Sequence, residues 1–454
     1  MADPVATHDP GTAGVFAPGR RTLTIGIVLT VTLIAFEGLA ISTVMPDVSR
    51  DLDGLSLYGW AFSAFFLTSL IGIVVAGREA DHRGLVRPYL VGLALFSVGL
   101  LVAGLAPAMA IVVAGRAIQG FGAGVIPATA IVTIGRAYPD ALRPRMLAVV
   151  SSAWIVPGLV GPGVSALVAT HATWRLVFLG LLPFVALACI LTLPSLRRLP
   201  EPDPSSAPHR IRDALLVTAG AGVFLAGLGA HRAALVALLA AVGLALAIPG
   251  LVALVPAGTF RARPGAPVVV LIRGLETFAF FGTAAYIPLA LTEIRGTSTG
   301  FAGIALSAAA LSWTTGSWVQ QHRVHVIGVR PLMRAGLSLV FLGIAVVAST
   351  LSDGVPVAVA VVGWTIAGFG MGISMAPQVV FVLREAPAGQ EGRLSASLML
   401  ADVLGVAIGT GIGGALVAAA DASGGWTLRT GIVLAFGVTA LAALTATAVS
   451  RRVR

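Results

Sequence analysis

The chain has 454 residues, 57% of them hydrophobic and 11% charged, a balance that excludes an ordinary soluble fold and makes a bilayer its natural solvent. Its formal charge of +10 would direct a soluble protein toward nucleic acid or an acidic partner, but all 29 basic residues are Arg and their placement gives the charge a different reading. The single cysteine, Cys189, excludes an intrachain disulfide and a Cys-based metal centre, and the seven His show no ligand spacing.

Residues 1–21 are a polar tail with Pro and Gly, and the apolar run after it is too long for a signal-peptide core, so the tail is expected to stay on the protein. A membrane-spanning helix needs roughly 17–25 apolar residues, because it rises about 1.5 Å per residue through about 30 Å of hydrocarbon. Fourteen runs qualify, at 22–45, 58–76, 88–106, 110–135, 146–169, 175–194, 214–230, 233–255, 267–291, 299–319, 331–350, 356–383, 395–420 and 428–449. With Arg20 and Arg21 placed in the cytoplasm, Arg50, Arg175, Arg232, Arg295 and Arg429 alone face the outside. Arg116 and Arg273 fall within spans, and every other Arg is cytoplasmic, as the positive-inside rule requires. Both termini are then cytoplasmic. The basic surplus reads as a topological signal with anionic headgroups as its neighbours, and nucleic acid is not needed to explain it.

One register superimposes Gly120-Phe121-Gly122 and Gly124 on Gly368-Phe369-Gly370 and Gly372, then Arg136 on Arg384, Pro139 on Pro387, Arg145 on Arg393, and Gly161 and Gly163 on Gly409 and Gly411. A slightly shorter offset pairs Arg87-Pro88 with Arg330-Pro331. The chain therefore divides into the tail at 1–21, a six-helix bundle at 22–195, a linker with an inserted transmembrane hairpin at 196–266, a second six-helix bundle at 267–450 and a short cytoplasmic tail at 451–454. The linker begins with Pro200, Pro202, Pro204 and Pro208, which suits a joint between bundles. Six is an even number, so the two bundles enter the membrane with one orientation, the plan of transporters that rock around a central cavity.

Ionisable groups at membrane depth cost about 2.5–3.5 kcal/mol each on insertion scales and call for a reason. Glu37 lies nine positions before Pro46 and Arg116 nine after Pro107, on helices running in opposite directions, which sets both roughly 13 Å below the outer surface. Equal depth permits pairing, and Gln119, one turn from Arg116, is placed to hold the guanidinium or a water. Glu37 is expected to be the principal proton carrier: burial works against its charge, Arg116 supports it, and rocking changes the balance. The bland reading is a permanent ion pair that only fixes packing. In the second half Arg273 and Glu276, spaced i, i+3 on one helix, are further candidates for the proton or substrate site, the alternative being that they simply satisfy each other. Asp402, about eight residues into its span, has no cation on its own helix and is read as a site for a cationic substrate, a second proton or a polar contact between bundles.

The segment Gly77-Arg78-Glu79-Ala80-Asp81-His82-Arg83-Gly84-Leu85-Val86-Arg87, read as the loop after the second span, resembles the G-x-L-A-D-R-x-G-R-K signature of the major facilitator superfamily, with Glu79, His82, Leu85 and Val86 departing from it. Arg116 to Gly124 resembles that family's R-x-x-Q-G-x-G-A element. Pro157-Gly158-Leu159-Val160-Gly161-Pro162-Gly163 resembles the antiporter motif of the fifth helix, with Pro157 in place of a glycine. Glu37 to Pro46 has the spacing of the first-helix element of the fourteen-helix drug:proton antiporter branch, and Trp174-Arg175-Leu176-Val177-Phe178-Leu179 resembles its sixth-helix segment. The resemblance implies an all-α major facilitator fold. It also implies a cytoplasmic gate built from Gly77, Asp81, Arg83, Gly84 and Arg87, with Asp81 as a latch onto a neighbouring helix N-terminus.

The expected function is proton-coupled antiport, the efflux of small amphipathic or drug-like molecules by alternating access from the bacterial cytoplasmic membrane. An importer or a lipid exporter on the same fold is the alternative, and a channel or scaffold a more distant one. No phosphate loop, catalytic triad or ATP-binding domain is visible, so neither an enzyme nor a cofactor is expected. Protons, a small-molecule substrate and membrane lipids are the expected partners, and the working unit is read as a monomer.

Overall fold

The computed structural model describes residues 14–199, 211–230, 232–387, 391–422 and 426–453, and among them the chain is helical throughout, with no strand. Apolar runs of this length can satisfy their backbone N–H and C=O groups in hydrocarbon only within each segment, which selects helices. Among the described residues thirteen helices are long and apolar enough to cross a bilayer: Arg21–Asp51, Leu55–Arg83, Val86–Gly104, Met109–Ala137, Arg145–His171, Arg175–Leu196, Ile211–Leu228, Ala234–Leu254, Ala266–Ile294, Val329–Ser349, Ala358–Arg384, Gly392–Asp421 and Leu428–Arg452. The fourteenth, tenth in chain order, is Thr299–Ile327. Its Thr314, Thr315, Gln321 and His322, all exposed, lower its hydropathy, yet its 29 residues reach well past the thickness of the hydrocarbon. Spans are numbered below in this order.

Several boundaries move. The first span runs through Pro46 to Asp51 instead of stopping before the proline, since neighbouring helices compensate for a missing N–H inside a membrane bundle. The second span continues to Arg83, so Gly77, Asp81 and Arg83 stand on a helix and not in a loop. Gly84 ends that helix with φ of 75°, and Gly328 ends the tenth span with φ of 89°, each in the left-handed region that favours glycine. The tenth span carries His322, Arg323 and His325 inside its last turns. The fifth span is two helices, Arg143–Ser152 and Ile155–His171, broken just before Pro157. The ninth is interrupted around Pro288, where a π-helical turn at Ala290–Ile294 follows. The prolines of the expected joint at 200–208, together with His209, His231 and residues 1–13, lie outside the described residues.

Packing follows the sequence repeat. The second and third spans lie on the fourth, and the first on the fifth and sixth; equivalently, the tenth and eleventh lie on the twelfth, and the ninth on the thirteenth and fourteenth. A Cβ at Gly120 would stand 2.1 Å from the carbonyl oxygen of Phe65 and one at Gly124 2.0 Å from that of Ser69. The fourth span thus meets the second backbone to backbone, which is how small residues bind helices in lipid. Gly368 and Gly372 stand in the same relation to Ala309 and Trp313.

The halves meet along two seams, second against thirteenth span and fifth against tenth. At the end marked by Asp47, polar bonds cross between them. Arg50 pairs with Glu293, Thr299 Oγ1 donates to Asp47 Oδ2 at 3.0 Å, and Tyr58 Oη donates to the Ala285 carbonyl at 2.9 Å. Slightly deeper, Ser63 Oγ donates to the Ala407 carbonyl at 3.0 Å. At the opposite end Asp81 pairs within its own half, with Arg136 at 3.6 Å.

Candidate functional site

Glu37 lies near the middle of the first span and Arg116 two turns into the fourth, and the helices bring them into contact inside the first half. Arg116 Nη1 donates to Glu37 Oε1 and to Gln119 Oε1 at 2.8 Å. Its Nε donates to the carbonyl of Ala61 at 3.0 Å, and the guanidinium carbon stands 4.1 Å from the centre of the Phe65 ring. Glu37 and Gln119 are 0% exposed and Arg116 1%. A buried ion pair survives only when its remaining hydrogen-bonding capacity is met; the planar, five-donor guanidinium can serve a carboxylate, an amide, a backbone carbonyl and an aromatic face at once, where an ammonium could not. Gln119 joins because i, i+3 residues share a helix face. Among the described residues, Glu37 Oε2 and Gln119 Nε2 have no hydrogen-bond partner. The carboxylate therefore has one oxygen committed to Arg116 and one available for a proton.

The second half is built differently. Trp364 stands four residues before Gly368 as Arg116 stands four before Gly120, and it stacks on Phe280 with ring centroids 4.5 Å apart and planes inclined by 16°. The ionisable groups lie nearer the other end. Arg273 does not pair with Glu276; its Nε lies 3.1 Å from Asp402 Oδ1 on the thirteenth span. Glu276, 0% exposed, accepts instead from Ser374 Oγ and Gln378 Nε2 of the twelfth span. Two neutral donors fill its two oxygens. Asp402, one-third exposed at its side chain, has no other ion-pair partner among the described residues, whereas both oxygens of Glu276 are already taken. Gly405 lets the two helices come this close, since a Cβ there would stand 2.4 Å from the Gly274 carbonyl oxygen.

The motif residues divide. Asp81 is paired to Arg136, whose Nη2 also donates to the Ala80 carbonyl; Arg83 is paired to Glu79 at 3.2 Å; Gly77 is half-buried, Gly84 buried and Arg87 exposed. Pro157, Gly158, Gly161 and Pro162 are buried and link two partners. A Cβ on Gly161 would touch Phe36, next to Glu37, at 3.6 Å, while one on Gly158 would stand 2.9 Å from Ala310 Cβ of the other half. Gly163 is exposed and faces open space. Sequence reasoning left Phe65 without a role and did not single out Ser374 or Gln378. Their signal was faint: two polar side chains spaced i, i+4 at membrane depth in a Gly-rich span. Among the described residues no group of three His, Cys, Asp or Glu could hold a metal ion.

A family model described as Major Facilitator Superfamily matches residues 27–319. The chain is 26% identical over 403 residues to the multidrug efflux pump SdrM of Staphylococcus aureus, a match covering 87% of this chain and 89% of that protein. It is 27% identical over 455 residues to the probable multidrug-efflux transporter Rv1634 of Mycobacterium tuberculosis, covering 94% of each. Among solved structures, the POT family transporter PepTSo superposes with a TM-score of 0.70 at 12% identity over 95% of this chain and 98% of that one. A D-xylose-proton symporter superposes with a TM-score of 0.65 at 17% identity, over 94% and 97%.

Proposed function

Because the chain belongs to the major facilitator superfamily, we propose that this multi-pass membrane transporter is a proton-coupled exporter of small amphipathic or drug-like molecules. The observation that carries the reading is the buried cluster in which Arg116 donates at once to Glu37, to Gln119 and to the Ala61 carbonyl. Nothing in simple packing requires an acid and a base at that depth, and an acid that gains and loses a proton there gives a gradient something to act on. The relatives described as multidrug efflux proteins favour export and a small-molecule cargo.

On this reading both termini are cytoplasmic, the membrane is the bacterial inner membrane, the bundles at 22–195 and 267–450 are the rocking bodies, and a single chain suffices. The end closed by Arg50, Asp47 and Tyr58 is then the outer one. Asp81, now held by Arg136, is the latch that engages when the inner side closes. Protonation of Glu37 weakens its hold on Arg116, the local contact loosens, and the bundles change sides. A membrane potential supplies about 2.3 kcal/mol per proton per 100 mV, enough for one-proton exchange to concentrate a cargo considerably.

The test is an export screen in a host stripped of its own pumps, with a panel of fluorescent amphiphilic dyes and with or without an uncoupler. Dye accumulation should fall when the chain is expressed and recover when the proton gradient is collapsed. Export that persists without a gradient would contradict proton coupling.

A further inference from the structure

The two halves repeat one turn at the Asp81 end but not its charges. In the first half the second span ends at Gly84, with Glu79 five and Asp81 three residues before that glycine and Arg87-Pro88 after it. In the second half the tenth span ends at Gly328, also at positive φ, and Arg330-Pro331 follows. Counted back from the glycine, Arg323 stands in the place of Glu79 and His325 in that of Asp81. Arg384 lies in the last turn of the twelfth span as Arg136 does in the fourth. The positive-inside rule accounts for arginines at this end, but it gives no reason for both acids to be missing.

In the first half Asp81 ties the second span to the fourth through Arg136, at 3.6 Å. The second half has no such tie: among the described residues neither Arg330 nor Arg384 forms an ion pair. The acid next in sequence, Glu385, leans toward another element, its Oε2 3.4 Å from where a Cβ on Gly265 would stand. That is the N-terminal end of the ninth span, which favours a negative charge. Between the start of the eleventh span and the end of the twelfth there is a cavity of about 350 Å³, lined by Arg330, Arg384, Glu385, Pro331, Val329 and Phe381. Its size falls within the range of small-ligand sites, about 300–1,000 Å³. Its floor is apolar, since Phe381 is buried and Val329 packs against the cluster that holds it. Two guanidinium groups on separate helices, each a planar fork of N–H donors, match the oxygens of a phosphate group, and an anion between them offsets their mutual repulsion.

We propose that this cavity binds a phosphate group between Arg330 and Arg384, and that the bound phosphate gives the second half the bridging charge that Asp81 gives the first. Glu385 on the rim favours a singly charged phosphodiester over a doubly charged ion. The eleventh span has 21 residues, about the thickness of the hydrocarbon, which sets its start, and the cavity with it, at the level of the headgroups. A glycerophospholipid is therefore the expected source of the phosphate, and free phosphate the competing one. The site is independent of what the protein carries.

Native mass spectrometry of the full-length protein, delipidated in dodecyl maltoside and titrated with dioleoyl phosphatidylglycerol, tests it without requiring transport. One lipid should bind more tightly than the rest, and Arg330→Gln combined with Arg384→Gln should weaken that binding at least about tenfold. Arg197→Gln combined with Arg198→Gln removes the same charge from exposed positions at the same end and should leave it unchanged. All four side chains are exposed, so both double variants should stay monodisperse on size-exclusion chromatography. Dioleoylglycerol, which has the same chains and no phosphate, should not compete. Inorganic phosphate, followed by isothermal titration calorimetry on the same three proteins, is the second arm. If it binds with the same need for Arg330 and Arg384 and displaces the lipid at equal concentration, the site stands with free phosphate as its ligand. Equal weakening in the two double variants, competition by dioleoylglycerol, or binding of lipid and phosphate that is indifferent to Arg330 and Arg384 would overturn the proposal, as would no binding of either.

Discussion

Glu37 bonds to Arg116 at the place in the first half where the second half stacks Phe280 on Trp364. The repeat thus preserves a contact between the first and fourth helices of each half while exchanging its chemistry. In one half the contact is an ion pair; in the other it is a neutral aromatic stack worth about 0.5–1.5 kcal/mol beyond its burial. On the proposed reading, this asymmetry leaves one half to respond to a proton and the other to serve as a reference.

Arg116→Lys should not be tolerated as a conservative change. The ammonium keeps the charge beside Glu37 but cannot also donate to the Ala61 carbonyl and cover the Phe65 ring. Losing one hydrogen bond of a charged donor costs about 1.5–3 kcal/mol. Thermal melting of the purified variant should drop by several degrees, and gradient-driven export should fall by about tenfold or more. A melt and an export rate equal to the parent's would remove the need for a guanidinium.

Gly124→Val places a branched side chain where even a Cβ would stand 2.0 Å from the Ser69 carbonyl oxygen. The fourth and second spans must separate, which costs about 1–3 kcal/mol or more in overpacking. The expected result is a large loss of monodisperse protein on size-exclusion chromatography, while Gly163→Val, at an exposed position facing open space, should behave as the parent does.

Arg50 and Glu293 close the Asp47 end across the two halves, with side chains 56% and 31% exposed. A pair so exposed contributes at most about 1 kcal/mol, so neutralising either charge should slow the transport cycle by no more than roughly fivefold, and reversing one, which adds a repulsion, by more. Arg50→Glu combined with Glu293→Arg should recover most of the rate, and a double-mutant cycle on export rates measures the recovery. Additive losses would show that the pair does not act as a gate.

Much of this could be read from the sequence because the bilayer constrains so strongly. Apolar runs of sufficient length have few alternatives to spanning, and even the polar tenth span betrays itself by length and by the sign of the loops around it. The depth of Glu37 and of Arg116 follows from counting residues to Pro46 and Pro107, but which way each side chain points depends on packing that no count reveals. Arg273 shows the same gap more sharply: spacing along one helix displays Glu276 as its partner and is blind to Asp402 on the neighbouring helix, which Gly405 brings close. The Gly77 to Arg87 segment looks like a loop because it is polar. It continues as helix to Arg83 because outside the hydrocarbon charged side chains such as Glu79 and Arg83, four apart, support the helix they stand on.

The central claim concerns the proton on one carboxylate, and Glu37→Gln tests it most directly. Gln is nearly isosteric and still offers Arg116 an acceptor, so the variant should insert and fold. In proteoliposomes with an imposed pH gradient, the parent should concentrate an exported dye and move protons against it, while the variant should bind the dye but neither concentrate it nor move protons. A variant that still builds a dye gradient at the parent's rate, at the expense of the proton gradient, would contradict the account.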